Sequence, residues 1–207
     1  MRTLILATLL AVAAMPAVAG SGDIPLVAIG LPFAPETPRP VASTHPLYQG
    51  VEVGEIEGLP STVGSSALNF IAAAKRSSIN AALRESFERM NMLSPEGGTP
   101  RMRLVVSWRD SHTPFRIGGR NTATATMRYR LIRIATGQQL FDREVTTAAE
   151  GGGVDASMRD NGIVRAAIAT NFASAANCLD HAALGTAPAN CALTPRFSVS
   201  ITDIRRR

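Results

Sequence analysis

Within the segment Asn121–Ile134 the side chains alternate without a break from Thr122 to Leu131. Ala123, Ala125, Met127, Tyr129 and Leu131 fall on one side of an extended chain, and Thr122, Thr124, Thr126, Arg128 and Arg130 on the other. A period of two held over that length belongs to a strand with one buried face and one wet face. Five apolar side chains in a row on one face need a covering layer, and the remaining segments supply it. Upstream, Met102, Leu104, Val106 and Trp108 alternate with Arg101, Arg103, Val105 and Ser107, a second strand of the same kind. Downstream, Thr136-Gly137 makes a tight turn into a third strand over 139–146, closing a hairpin. Val51–Ile56 alternates loosely and stops at Gly58-Leu59-Pro60, a short strand, and Phe197, Val199 and Ile201 mark a last one over 196–204.

Two helices are expected to cover the sheet. The first is placed over 65–91, where Leu68, Ile71, Ala72, Ile79, Ala82, Leu83, Phe87 and Met90 recur at three- and four-residue steps, with Lys75, Arg76, Arg84 and Glu88 on the wet side. The second follows Gly151-Gly152-Gly153, read as a flexible turn, and runs over 157–181. Ile163, Val164, Ala167, Ile168, Asn171, Phe172, Ala175 and Leu179 make its stripe, and its many alanines permit close packing on a sheet. The order β-α-β-β-β-α-β, with one apolar sheet face and two apolar helix stripes, predicts an α+β fold. Its architecture is a two-layer α/β sandwich, mainly antiparallel, with both helices on one face.

The N-terminus constrains place. Arg2 gives one positive charge, Leu4 to Ala14 an apolar run of about a dozen residues, Pro16 a helix break, and Ala17-Val18-Ala19 a small-x-small exit. These are the parts of a cleavable secretory signal over 1–19, with cleavage near Ala19-Gly20 and a periplasmic destination. The run is too short to span a bilayer, which takes about 20 apolar residues, and no second stretch approaches that length. Residues 20–49 carry Pro25, Pro32, Pro35, Pro38, Pro40 and Pro46 and read as an extended N-terminal arm. Residues 50–207 are then a single domain. In an oxidising compartment the only two cysteines, Cys178 and Cys191, are expected to form a disulfide closing a short loop.

The chemistry-bearing residues point away from catalysis. His45, His112 and His181 sit in unrelated contexts. The sequence has no His-Glu-x-x-His, no Gly-x-Ser-x-Gly, no phosphate loop and no dinucleotide fingerprint, so no cofactor or metal is expected. Asp110 and His112, two apart at a strand end, are the one candidate acid–base pair of a hydrolase or transferase, with His181 as a third member. The positive feature is basic. The chain carries a formal charge of +5, nearly all its cations are arginine, and Lys75 is its only lysine. Paired strands put Arg101, Arg103, Arg128 and Arg130 on the polar sheet face, where guanidinium forks can grip phosphate or carboxylate. Nucleic acid is disfavoured by location and by the scarcity of aromatic stacking residues.

The hairpin Asn121–Phe141, with Tyr129-Arg-Leu131 and Thr136-Gly137-Gln-Gln-Leu140 ahead of an alanine-rich helix, resembles the lipopolysaccharide-assembly lipoprotein family and kindred small envelope proteins. The likeness spans 51–181. It implies a strand-helix-strand-strand-strand-helix unit and a non-catalytic envelope role. This chain differs from that family in having no cysteine at the cleavage point, and in continuing into a Cys-closed loop and an extra strand. The expected function is therefore a periplasmic accessory or assembly protein that binds an anionic envelope component, lipopolysaccharide or lipid, or a membrane protein partner. The alternatives are an enzyme using Asp110 and His112, and a purely structural module whose proline arm docks on a neighbour.

Overall fold

The computed structural model describes residues 39–64, 72–114, 116–152, 156–186, 191 and 199–200. The signal segment and residues 20–38 of the expected arm lie outside them. The elements run β1 (Val51–Val53), β2 (Thr62–Gly64), β3 (Ala72–Lys75), α1 (Arg76–Arg89), β4 (Met102–His112), β5 (Arg120–Arg133), β6 (Gln139–Gly152), α2 (Ala156–Ala183) and β7 (Val199–Ser200). A five-stranded sheet has the order β1-β4-β5-β6-β7, and β2 and β3 form a separate two-stranded ribbon. The long central strands β4, β5 and β6 are antiparallel, while the short edges β1 and β7 run parallel to their neighbours. This is the expected α+β architecture.

The alternation in β5 sets the faces as its sequence requires. Ala123, Ala125, Met127, Tyr129 and Leu131 are all buried, joined by Met102, Leu104 and Val106 of β4 and by Phe141, Val145 and Ala149 of β6. α2 covers this face with Ile163, Val164, Ala167, Ile168, Phe172, Ala175 and Leu179, and α1 adds Ile79, Ala82, Leu83 and Phe87 to the same core. Each large side chain so buried contributes about 2 kcal/mol. Cys178 and Cys191 are bonded, and closing a loop of that length stabilises the fold by about 3 kcal/mol.

Polar groups fasten the helix to the sheet. The Asn171 carboxamide projects from α2 between β5 and β6 and donates to the carbonyls of Ala125 at 3.0 Å and Val145 at 2.7 Å. Its oxygen accepts from the Tyr129 hydroxyl at 2.6 Å. Burial pushes the Tyr129 phenol well above its ordinary pKa, so it stays a donor. Thr147 of β6 donates to the Ala167 carbonyl of α2 at 2.7 Å. The alanines of α2 let the helix approach closely enough for these short side chains to reach backbone.

The structure departs from the sequence reading at four places. Of the helix expected over 65–91, residues 65–71 lie outside the described chain and Ala72–Lys75 is strand, paired antiparallel with Thr62–Gly64. Pairing there overrides the helix preference of three alanines, and Lys75 remains extended ahead of the helix. Gly151 and Gly152 continue β6, held by pairing with Asn121 and Arg120, instead of opening a turn. The first strand is shorter than expected, ending at Val53; of the last, expected over 196–204, Val199–Ser200 is strand and the rest lies outside the described residues. Finally, residues 39–49 of the expected arm pack on the domain, burying Val41 and Leu47. The junction explains why. Just past the end of α1 stands Asn91, whose positive φ of 56° lets the amides of Asn91 and Met92 bond back to Glu88 and Phe87, a helix-end motif usually closed by glycine. The Val41 amide then donates to Met90 and the Gln49 amide to Asn91. His45 Nε2 sits 2.9 Å from Asp180 Oδ1 on α2.

Replacing Tyr129 with Phe leaves the buried Asn171 oxygen without its donor, so urea unfolding should show a loss of about 1–3 kcal/mol. Thr126→Val, on the wet face of the same strand, should shift stability by less than about 0.5 kcal/mol.

Candidate functional site

The face of the sheet away from α2 carries the candidate binding residues. Register places Arg103 opposite Ile132, Arg130 opposite Val105 and Arg128 opposite Ser107, so these three arginines share one face across β4 and β5. Arg101 stands apart, at the mouth of β4. Its guanidinium lies over Gly50, where an added Cβ would come within 2.9 Å of it, and it donates to the Tyr48 carbonyl at 2.9 Å. It ties the 39–49 segment to the sheet edge.

Each of the three arginines on the face already holds a carboxylate. Arg128 makes a two-pronged bond to Asp142, with both contacts at 2.6 Å, the geometry in which a guanidinium grips a carboxylate best. Arg103 Nε donates to Glu52 at 3.1 Å. Arg130 Nη2 reaches Glu57 at 3.4 Å, and Ser107 donates to the same carboxylate at 2.9 Å. Looser contacts extend the pattern, Arg109 to Glu144 at 3.6 Å and Arg120 to Glu150 at 3.9 Å. Thr126 and Thr146 hydrogen bond across β5 and β6 at 3.0 Å. The side-chain hydrogen bond from Arg128 holds the Asp142 carboxyl below its ordinary pKa, and the same hydrogen bond raises that of Arg128. The face is thus a ladder of five arginines and five carboxylates that cancels its own charge.

Sequence reading located the arginines and missed their partners, because the pairing depends on strand register and on segments outside the arginine-rich stretch. Glu52 and Glu57 arrive from the N-terminal side. Asp142, Glu144 and Glu150 were legible in principle, since they occupy the even positions of β6 that the hairpin register sets on the same face as Arg128 and Arg130.

The candidate acid–base group is dispersed. Asp110 and His112 are exposed on the far end of β4, where a bulge after Trp108 sets them opposite Thr126 and Thr124. His181 lies near the C-terminal end of α2, whose N-terminal turn is the part that meets the β4–β5 loop. The 22 residues from Arg159 to His181 span about 33 Å of helix, so the three do not converge. Among the described residues no group of three His, Cys, Asp or Glu side chains could hold a metal ion, and no helix is long and apolar enough to cross a membrane. An open groove of about 1020 Å³ beside α1 is lined by Glu52, Glu85, Glu88, Glu96 and Arg84, together with Ser94. It carries none of the candidate acid–base residues.

No family model matches the sequence, and no curated protein matches it significantly. Solved structures do resemble it. Protein XCC0632 from Xanthomonas campestris, of the family DUF330, superposes with a TM-score of 0.53 at 9% identity, covering 71% of this chain and 93% of its own. A lipoprotein candidate from Caulobacter crescentus (TM-score 0.44, 12% identity, 69% and 96% covered) and protein CT253 from Chlamydia trachomatis (0.42, 8%, 66% and 95%) are more distant. At these identities the likeness to XCC0632 establishes a common fold.

Because Asp142 is held below the usual carboxylate range, its contribution to stability is present above that range and is lost as pH falls through its folded pKa. Asp142→Asn should therefore be measurably less stable than the parent at pH 7 in urea, and the difference should close on acidification toward pH 2. A gap that widens at acid pH would contradict the assignment.

Proposed function

We propose that this chain is a non-catalytic accessory protein of the bacterial envelope, acting in the periplasm, whose arginine-bearing sheet face docks a protein partner there. The N-terminal export signal and the resemblance of the Asn121–Phe141 hairpin to lipopolysaccharide-assembly lipoproteins support the envelope setting. The observation that carries the choice of partner is the charge ladder. Five arginines against five carboxylates on one face leave no net field to draw an anionic polymer or lipid surface from a distance. The fork of Arg128 is occupied and Arg103 already holds Glu52 through its Nε, so a phosphate gripping Arg128 has to displace Asp142 and one at Arg103 competes with Glu52. A protein surface with its own alternating charges meets such a face without displacing anything. Wrong registers put like charges together, which gives specificity. Lipopolysaccharide or lipid gripped by these arginines is the weaker reading for the same reason.

Site-specific photo-crosslinking in the envelope tests this. A benzophenone side chain at Thr124 or Thr146 should give a discrete adduct with an envelope protein, and the same probe at Glu88 on α1 should not. Arg128→Gln with Arg130→Gln should lower the adduct yield by ~10-fold or more. No adduct from the sheet face, or yields indifferent to the arginines, overturns the proposal.

A further inference from the structure

Residues 116–119, just ahead of β5, form a tight reversal. Gly118 and Gly119 both take positive φ, 69° and 71°, conformations open to glycine at little strain, and the reversal leaves Ile117 at the apex. Ile117 is 88% exposed, more than the other exposed large apolar side chains among the described residues, Leu184 and Ile134. A lone exposed isoleucine is ordinary. What sets this one apart is what holds it. Arg159, in the first turns of α2, is wholly buried. It donates from Nη2 to the Arg116 carbonyl at 2.6 Å and from Nη1 to the Gly119 carbonyl at 3.2 Å, while its Nε bonds Asp160 at 2.8 Å. Asn121 completes the anchor, donating to Asp160 at 2.9 Å and to the Pro114 carbonyl at 2.8 Å.

Burying an arginine–aspartate pair carries a heavy desolvation penalty, and here the pair fixes a surface loop. Three loop carbonyls are turned inward onto buried donors, which fixes the loop's course and leaves the apex side chain standing in solvent. On either side of Ile117 stand Arg116, which is exposed and has no ion-pair partner among the described residues, and Arg120. The Arg120 side chain is 68% exposed, and its contact with Glu150 is loose at 3.9 Å.

We infer that this tip is a membrane-contact site, with Ile117 entering the boundary between headgroups and acyl chains and Arg116 and Arg120 bonding lipid phosphates beside it. An apolar residue flanked by arginines fits that boundary, where long cationic side chains keep their charge at the phosphate level while an apolar neighbour is buried. The charge-balanced sheet face has no such apolar apex beside a cation like Arg116 that stands outside the ladder. The tip shares only Arg120 with the ladder, at its loosest rung, while Ile117 and Arg116 lie beyond it, so the two sites are separable, and this inference does not rest on the proposed protein docking. One apolar side chain with two arginines gives weak, reversible attachment that supplements a second signal.

Protein purified from the envelope of cells expressing the full chain is to be sedimented with vesicles of phosphatidylglycerol mixed into phosphatidylcholine, and with phosphatidylcholine alone, at low salt. The parent should bind the anionic vesicles and leave the neutral ones. Arg116→Gln with Arg120→Gln should weaken binding about 25-fold, at about five-fold per arginine, and Ile117→Ser should weaken it at least about five-fold. Ile134→Ser, and the pair Arg128→Gln with Arg130→Gln, should bind like the parent. The three tip side chains are exposed, so circular dichroism should confirm that their variants fold. Absence of binding to anionic vesicles by the parent overturns the inference, as does parental binding by the tip variants. Binding abolished by the sheet-face pair instead moves the lipid contact to that face and also overturns it.

Discussion

One carboxamide holds the two layers of this protein in register. Asn171 is buried in the apolar stripe of α2, where an unpaired amide is expensive, and its partners are the carbonyls of Ala125 and Val145 and the hydroxyl of Tyr129. It can be satisfied at only one translation and rotation of the helix over the strands. The apolar side chains around it supply most of the attraction, but they would tolerate sliding. The amide does not. Its reach depends on close approach, which the alanines of α2 allow, and Thr147 repeats the device by donating to the helix backbone at Ala167.

Once the helix is fixed on the inner face, the properties of the other face follow. Every even-numbered residue of β5 from Thr122 to Ile132 turns away from α2, so the arginines at 128 and 130 come to the surface as a consequence of where Met127, Tyr129 and Leu131 are buried. The same pairing register that buries Phe141 and Val145 presents Asp142 and Glu144 beside those arginines. Charge balance on the outer face is thereby a product of strand register. At the distal end, the first turns of α2 carry the buried Arg159–Asp160 pair that holds the β4–β5 loop. Helix placement thus governs the sheet face and the tip together.

What was legible in the sequence depended on how far apart the determining residues lie. The alternation of β5 is local, and it correctly separated Ala125, Tyr129 and Leu131 from Thr122, Thr126 and Arg130. The stripe of α2 is equally local, and so is the turn at Thr136-Gly137. The ribbon of β2 and β3 was not legible. Ala72-Ala73-Ala74 is strand because Thr62–Gly64 pairs with it, a contact that no window on either segment contains. The seat of residues 39–49 was hidden for the same reason, since it depends on a left-handed asparagine, Asn91, which lies 50 residues from Val41 in sequence. For the candidate site, the arginines were visible as residue types, while their neutralisation needed the register of β6 and the return of Glu52 and Glu57 to the sheet. The support beneath Ile117 was invisible, because a buried arginine two strands further along the chain looks in sequence like any other cation on a wet face.

Amide hydrogen exchange followed residue by residue tests the central claim most directly. If Asn171 welds α2 to β5 and β6, amides of α2 around residues 167–175 should exchange through the same global opening as those of Ala125, Met127 and Val145, with matching free energies and matching dependence on denaturant. Release of the α2 amides at a markedly lower free energy, while the β5–β6 amides stay protected, would mean that the helix leaves the sheet on its own and that the carboxamide does not set the fold.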